Sequence, residues 1–204
     1  MLHREDAPLL GSVLPPAALV TLRAGELARD DVRGALAPLP GEAIKLAGSG
    51  GLWSCLYLDA ASGRCSIYAW RPAQCRALLC GDASVLAAMY ERERLTRSEA
   101  LPLLHPDWLP LAEAHEAECA WARLAPLALR AGRDAGAVRE LLEAVRFDHA
   151  YREVVMERAA VPADALSLLF GRPLRALLSD FGLALEGGGG RLVRSGLLMY
   201  PKAD

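Results

Sequence analysis

The sequence predicts an α+β fold, mostly α-helical, with a small cysteine-bearing β-hairpin and a candidate C-terminal hairpin. Three observations predict it. Beyond residue 110, apolar residues recur at helical spacing over long segments. Residues 52–70 set β-type and aromatic residues on both sides of a turn-forming stretch. A glycine run at 187–190 separates two short apolar stretches. The 204 residues suit one large domain or a domain with an appendage. The expected units are a cysteine-cluster metal-binding domain over 1–130 and a helical region with the terminal hairpin over 131–204, or one continuous domain.

In chain order, residues 20–22 suggest a short strand. Residues 24–35 suggest a helix with Leu27 and Val32 on one side, ended by Pro38 and Pro40. Residues 47–51, rich in Gly and Ser, suggest a flexible link. The hairpin follows, with 59–64 as its turn, and Arg71 and Pro72 stop the second strand. Asp82 is suited to cap a helix running to Arg94, with Val85, Leu86, Met89 and Tyr90 on its apolar face. Pro102, Pro106 and Pro110 suggest a loop. Helices are expected over 111–124 and, capped by Asp134, to about Arg158. The latter has Val138, Leu141, Leu142, Val145, His149 and Val155 at helical spacing, so His149 is expected in the core. Pro162 and Pro173 open two shorter helices ending near Gly171 and Gly182.

Composition excludes several classes. The chain is 53% hydrophobic and 24% charged with net charge −2, which gives no basic field for nucleic acid or anionic membrane. The longest uncharged stretch, residues 7–22, is interrupted by Pro8, Pro15 and Pro16 and is too short for a membrane span. The acidic start fits no signal peptide, so the expected compartment is the cytoplasm, where thiols stay reduced. There is no GxSxG, GxGxxG, Walker A or HExxH pattern. The expected partner is a protein or a small-molecule substrate, with neither nucleic acid nor membrane.

The chemistry concentrates in cysteines. Cys55, Cys65, Cys75 and Cys80 fall within 26 residues, separated by nine, nine and four positions. Thiolates are soft, strong ligands, and four of them complete a zinc site or hold a cubane cluster. Five cysteines, an odd number, suit a disulfide framework badly. Cys119 is a further candidate, one helical turn after His115, so that both can face one point. Glu113 and Glu116 join that segment, which reads either as a mixed site or as a solvated helix face. A 4Fe–4S cluster is favoured over zinc because the CxxC pairs of most structural zinc sites are missing.

Cys55-Leu-Tyr-Leu-Asp59, Gly63-Arg-Cys-Ser-Ile-Tyr68 and Arg71-Pro-Ala-Gln-Cys-Arg76 together resemble the core of the YkgJ-type cysteine-cluster family. That family's pattern runs Cys-x-x-Leu, Gly-x-Cys-x-Ile-Tyr, Arg-Pro-x-x-Cys-Arg, and flagellin lysine methylases are similar in part. The resemblance covers about residues 52–80 and implies a bound zinc or iron–sulfur centre. Family members often carry a later cysteine, for which Cys119 is the candidate. The usual upstream CxxCxxCC cluster is missing, since residues 1–54 contain no cysteine. On this reading Arg71 and Arg76 neutralise the anionic centre and donate hydrogen bonds to sulfur. Tyr68 and Trp70 shield it, although a core position is the simpler expectation for Trp70.

The functional readings are an accessory redox or group-transfer metalloprotein, including methyl transfer by similarity to the methylases; a metal-responsive regulator; and a zinc-stapled structural protein. The regulator reading uses residues 162–194 as a winged helix-turn-helix, with Arg172, Arg175, Arg191 and Arg194 as phosphate contacts.

Overall fold

The computed structural model describes residues 1–30, 34–49, 54–78, 84–90, 92–187 and 190–196. No helix among them is long and apolar enough to cross a membrane. The fold is mixed α+β and mostly helical, with short antiparallel strand pairs.

The prolines of residues 7–22 keep that stretch out of a regular helix. 3-10 segments at Arg4–Leu9 and Pro16–Ala18 lead into β1 (Leu19–Leu22), which is buried throughout. β2 (Leu27–Asp30) and β3 (Ala35–Pro38) then form a hairpin where the sequence predicts a helix. Gly25 and Gly34 hold φ of +82° and +68°, left-handed values that break a helix at either end and suit turns. β4 (Ala43–Leu46) returns antiparallel to β1, placing Thr21 opposite Ile44.

The expected hairpin over 52–70 is two smaller ladders. β5 (Gly48–Ser49) pairs with β6 (Ser54–Cys55), so part of the expected flexible link is strand. β7 (Leu58–Asp59) pairs with β8 (Arg64–Cys65). Cys65 therefore lies opposite Leu58, while Cys55 lies opposite Gly48. The cause is local. Asp59 Oδ1 accepts from Ala61 N at 2.8 Å and Ser62 N at 3.2 Å, which closes the loop directly after Leu58. A 3-10 turn at Tyr68–Trp70 and α1 (Ala73–Ala77) follow. Trp70 is 61% exposed and Tyr68 63% exposed, so neither is a core residue.

α2 (Ser84–Met89) is shorter than predicted, and its expected cap Asp82 lies outside the described residues. It ends because the chain turns back to the N-terminal segment, where Leu95 N donates to Leu2 O at 3.0 Å. Val85 on its predicted apolar face is exposed. The expected proline-rich loop is reduced to the turn at 105–107, which holds Pro106: α3 (Arg97–Leu104) contains Pro102, and α4 (Trp108–Cys119) takes Pro110 in its first turn. Glu99 reaches back to Thr96 N at 3.0 Å and so fixes the start of α3. Pro110 is tolerated because the first-turn N–H groups of a helix have no partner. The expected helix over 111–124 is divided at Ala120, whose ψ of 112° separates α4 from α5 (Trp121–Arg130). α6 (Ala135–Arg158) matches its prediction. Asp134 Oδ1 caps it, accepting from Gly136 N at 2.9 Å and Ala137 N at 3.1 Å.

α6 buries Leu141, Val145, Asp148, Arg152 and Val155. His149, one residue past Asp148, is rotated out of that stripe and is exposed beside Glu153, contrary to its expected core position. α7 (Leu166–Phe170) and α8 (Leu174–Leu177) follow as predicted, then the terminal hairpin of β9 (Leu183–Glu186) and β10 (Arg191–Arg194). α8 is four residues long and buries Leu174 and Leu177, so it serves the core and offers little surface for reading a groove.

Two hydrophobic cores result. One joins Leu14, Leu19, Ile44, Leu101, Trp108 and Phe170; the other joins Trp121, Leu124, Leu141, Leu177 and Phe181. Both draw on residues from either side of residue 130.

Candidate metal centres

The cysteine segment has almost no interior of its own. Of residues 54–78, only Pro72 and Ala73 are buried. Leu56, Leu58, Tyr68, Trp70 and Leu78 are all exposed. A few anchors join the segment to the body of the protein. Tyr57 Oη donates to Val13 O at 3.1 Å, and Asp6 Oδ1 accepts from Ala73 N at 2.8 Å at the start of α1. Asp6 is itself fixed by His3 N at 2.9 Å.

Within this frame Cys55 sits on β6, Cys65 on β8 and Cys75 in the middle of α1, and none is in a disulfide. Cys75 is an exposed residue with a partly shielded thiol. Burial is the main influence raising its pKa; the Met1 amino group opposes this, and the nearby Cys55 and Cys65 push it further up. Cys55 and Cys65 therefore stand near Cys75, but the ligand atoms of the three do not converge as those of His115, Cys119 and Asp148 do, the one such group among the described residues. Cys80 lies outside the described residues.

The two arginines differ. The guanidinium of Arg71 lies 3.6 Å from the Tyr68 ring centroid, and its buried Nε has no acceptor among the described residues. Arg76 is already engaged, donating to Arg71 O at 2.6 Å and Glu5 Oε2 at 2.7 Å.

Cys119 belongs to a second group. α4 buries Trp108, Ala112, His115 and Cys119 along one stripe. The expected solvated face is therefore buried at His115 and Cys119, while Glu113 is exposed and Glu116 pairs with Arg97 at 2.9 Å. His115, Cys119 and Asp148 of α6 bring three ligand atoms within 4.8 Å of one another and can hold a metal ion. Asp148 Oδ1 is 2.8 Å from His115 Nε2 and 2.7 Å from Arg152 Nε, and Oδ2 accepts from Leu174 N at 2.9 Å.

Burial alone would raise the Asp148 carboxyl, but the His115 hydrogen bond and the Arg152 charge outweigh it and hold the pKa at about 2. An ionised Asp148 makes Nε2 of His115 the donor and leaves Nδ1 with a bare lone pair. Nδ1 is buried and without a partner among the described residues. Burial also lowers the His115 pKa. Burial pushes the Cys119 thiol up to about 12, with Asp148 adding to the effect, and the thiol points 3.9 Å from Ala144 O.

Sequence reasoning placed His115 and Cys119 together and missed Asp148. The signal was present in the stripe Leu141, Val145, Asp148, Arg152, Val155, where an acid and a base interrupt an apolar face at i and i+4.

No family model, curated protein or solved structure matches the chain.

Proposed function

We propose that this chain is a metal-binding protein of the YkgJ type. On this reading it holds an iron–sulfur cluster, with zinc as the alternative, through Cys55, Cys65, Cys75 and Cys80. It acts in the reducing cytoplasm in a redox or group-transfer role. The reading is carried by the placement of Cys55, Cys65 and Cys75 on one surface segment in which only Pro72 and Ala73 are buried, with Cys55 and Cys65 near enough to Cys75 to raise its pKa. Tyr57 and Ile67 pack the segment onto the main core, but the rest of it buries little, and small units with poor cores are commonly held by metal. Arg71, whose buried Nε has no acceptor among the described residues, would supply positive charge to an anionic centre of thiolates.

A second reading, not exclusive of the first, is favoured by the bare Nδ1 of His115. His115, Cys119 and Asp148 offer ligand atoms within 4.8 Å of one another, and Nδ1 of His115 is without a partner among the described residues while Nε2 is held by Asp148. Metal stoichiometry in variants separates the two. Cys65→Ala should abolish the cysteine-segment metal, and Cys119→Ser should leave it in place. Metal lost in Cys119→Ser and kept in Cys65→Ala would transfer the function to the buried group.

A further inference from the structure

A cleft of about 600 Å³ lies between α6, α8 and the terminal hairpin. That volume is in the middle of the range for small-molecule sites. Its apolar lining is the edge of the second hydrophobic core, where Val145 of α6 and Leu183 of β9 are buried and Leu185 packs against that core.

Arg146 of α6 and Arg175 of α8 line the same cleft. Each follows a buried position of its helix, Val145 and Leu174, and is itself exposed, so a ligand can reach both guanidiniums. Neither makes an ion pair or a hydrogen bond to another described residue. By contrast, the exposed Arg76 and Arg123 are engaged by Glu5 and Glu140. No carboxylate lines the cleft among the described residues. His149 lines it too, but its Nε2 lies 3.6 Å from a Glu153 carboxylate oxygen, so the two arginines are the available cations. Ser195, placed by its N–H donating to Gly182 O at 2.8 Å, adds a hydroxyl; the hydroxyl of Ser179 is already spent on Ala176 O at 2.7 Å. A guanidinium is a rigid, permanently charged fork of donors that matches phosphate oxygens. A phosphate monoester carries close to two negative charges at neutral pH, one for each arginine.

We infer that this cleft binds a phosphate monoester with a compact apolar group, its phosphate held by Arg146 and Arg175 and its apolar group against Val145, Leu183 and Leu185. The site shares no residue with either candidate metal centre and stands independently of the metal reading.

The test is isothermal titration of the full chain, at physiological ionic strength, with phenyl phosphate, benzoate and inorganic phosphate. Phenyl phosphate should bind saturably, one per chain, and about tenfold more tightly than either of the others. Arg146→Gln and Arg175→Gln should each weaken it roughly tenfold. Arg158→Gln, which removes an exposed charge at the end of α6 outside the cleft, should leave it unchanged. All three positions are exposed, so circular dichroism should show the variants folded. Phenyl phosphate that does not bind saturably, or that binds unchanged in Arg146→Gln and Arg175→Gln, would overturn the inference. Equal losses in all three variants would also overturn it, by showing a diffuse response to charge. Benzoate bound as tightly as phenyl phosphate would overturn the phosphate assignment, and inorganic phosphate bound as tightly would overturn the apolar half of the site.

Discussion

At Asp148 one carboxylate holds three groups: the His115 imidazole, the Arg152 guanidinium and the Leu174 amide. It thereby joins α4, α6 and the start of α8. Arg152 also donates through Nη2 to Phe170 O at 3.2 Å and Gly171 O at 3.1 Å. Removing the charge strands a buried cation. Asp148→Asn should lower stability by about 3–5 kcal/mol in urea denaturation. A loss below about 1 kcal/mol would show that the network is redundant.

The pH dependence follows from the same residues in metal-free protein. The Asp148 carboxyl drops from 3.8 to about 2 on folding, so its contribution is complete above 3.8 and is lost as pH falls towards 2. The His115 imidazole is lowered from 6.5, so its protonation favours the unfolded chain as pH drops below 6.5. Both effects have one sign. Stability should decline progressively with acidification below 6.5, and Asp148→Asn should flatten the lower part of that curve.

Elements in this protein are placed by a few close backbone approaches. Gly171 ends α7 at φ +67°, and a Cβ there would lie 2.9 Å from Thr21 O on β1. Arg23 threads the same junction, donating to Glu26 Oε1 at 3.1 Å, Cys119 O at 3.3 Å and Arg172 O at 3.0 Å. Gly171→Ala should cost about 2–3 kcal/mol from backbone strain and the clash, read as a lowered midpoint in denaturant. A neutral effect would mean that β1 and α7 can separate without penalty.

The cysteine segment behaves differently, since it contributes little buried surface. After treatment with chelator and oxidant, limited proteolysis should cut first within 54–78, and metal-loaded protein should resist there. Equal cleavage in both forms would mean that metal does not order the segment.

Legibility in the sequence divides along the same line. α6 was readable because Asp134 caps it and its stripe is long. β2 and β3 were not, because four-residue strands give too short a pattern to outweigh a helical reading, and their register comes from pairing. A proline's effect depends on its position relative to a helix start. Pro110 occupies a first turn and Pro102 follows the Thr96–Glu99 cap, and in both cases a start signal outweighs the break.

At the scale of the whole molecule, two hydrophobic cores carry a body of helices and short ladders, and the cysteine segment lies on its surface. The placement of Cys55, Cys65 and Cys75 on one short surface segment follows from their spacing in the sequence. The separate setting of Cys119 does not. It depends on α4 packing against α6, a contact between residues distant in sequence.

The central claim is a metal held by the cysteine segment. Its most direct test is iron, zinc and acid-labile sulfide content, with a visible spectrum, on protein purified without oxygen. Iron with matching sulfide, lost in Cys65→Ala, is the predicted result; zinc without sulfide, lost in the same variant, would keep the site and change its chemistry. Folded, reduced protein containing neither metal would contradict the account.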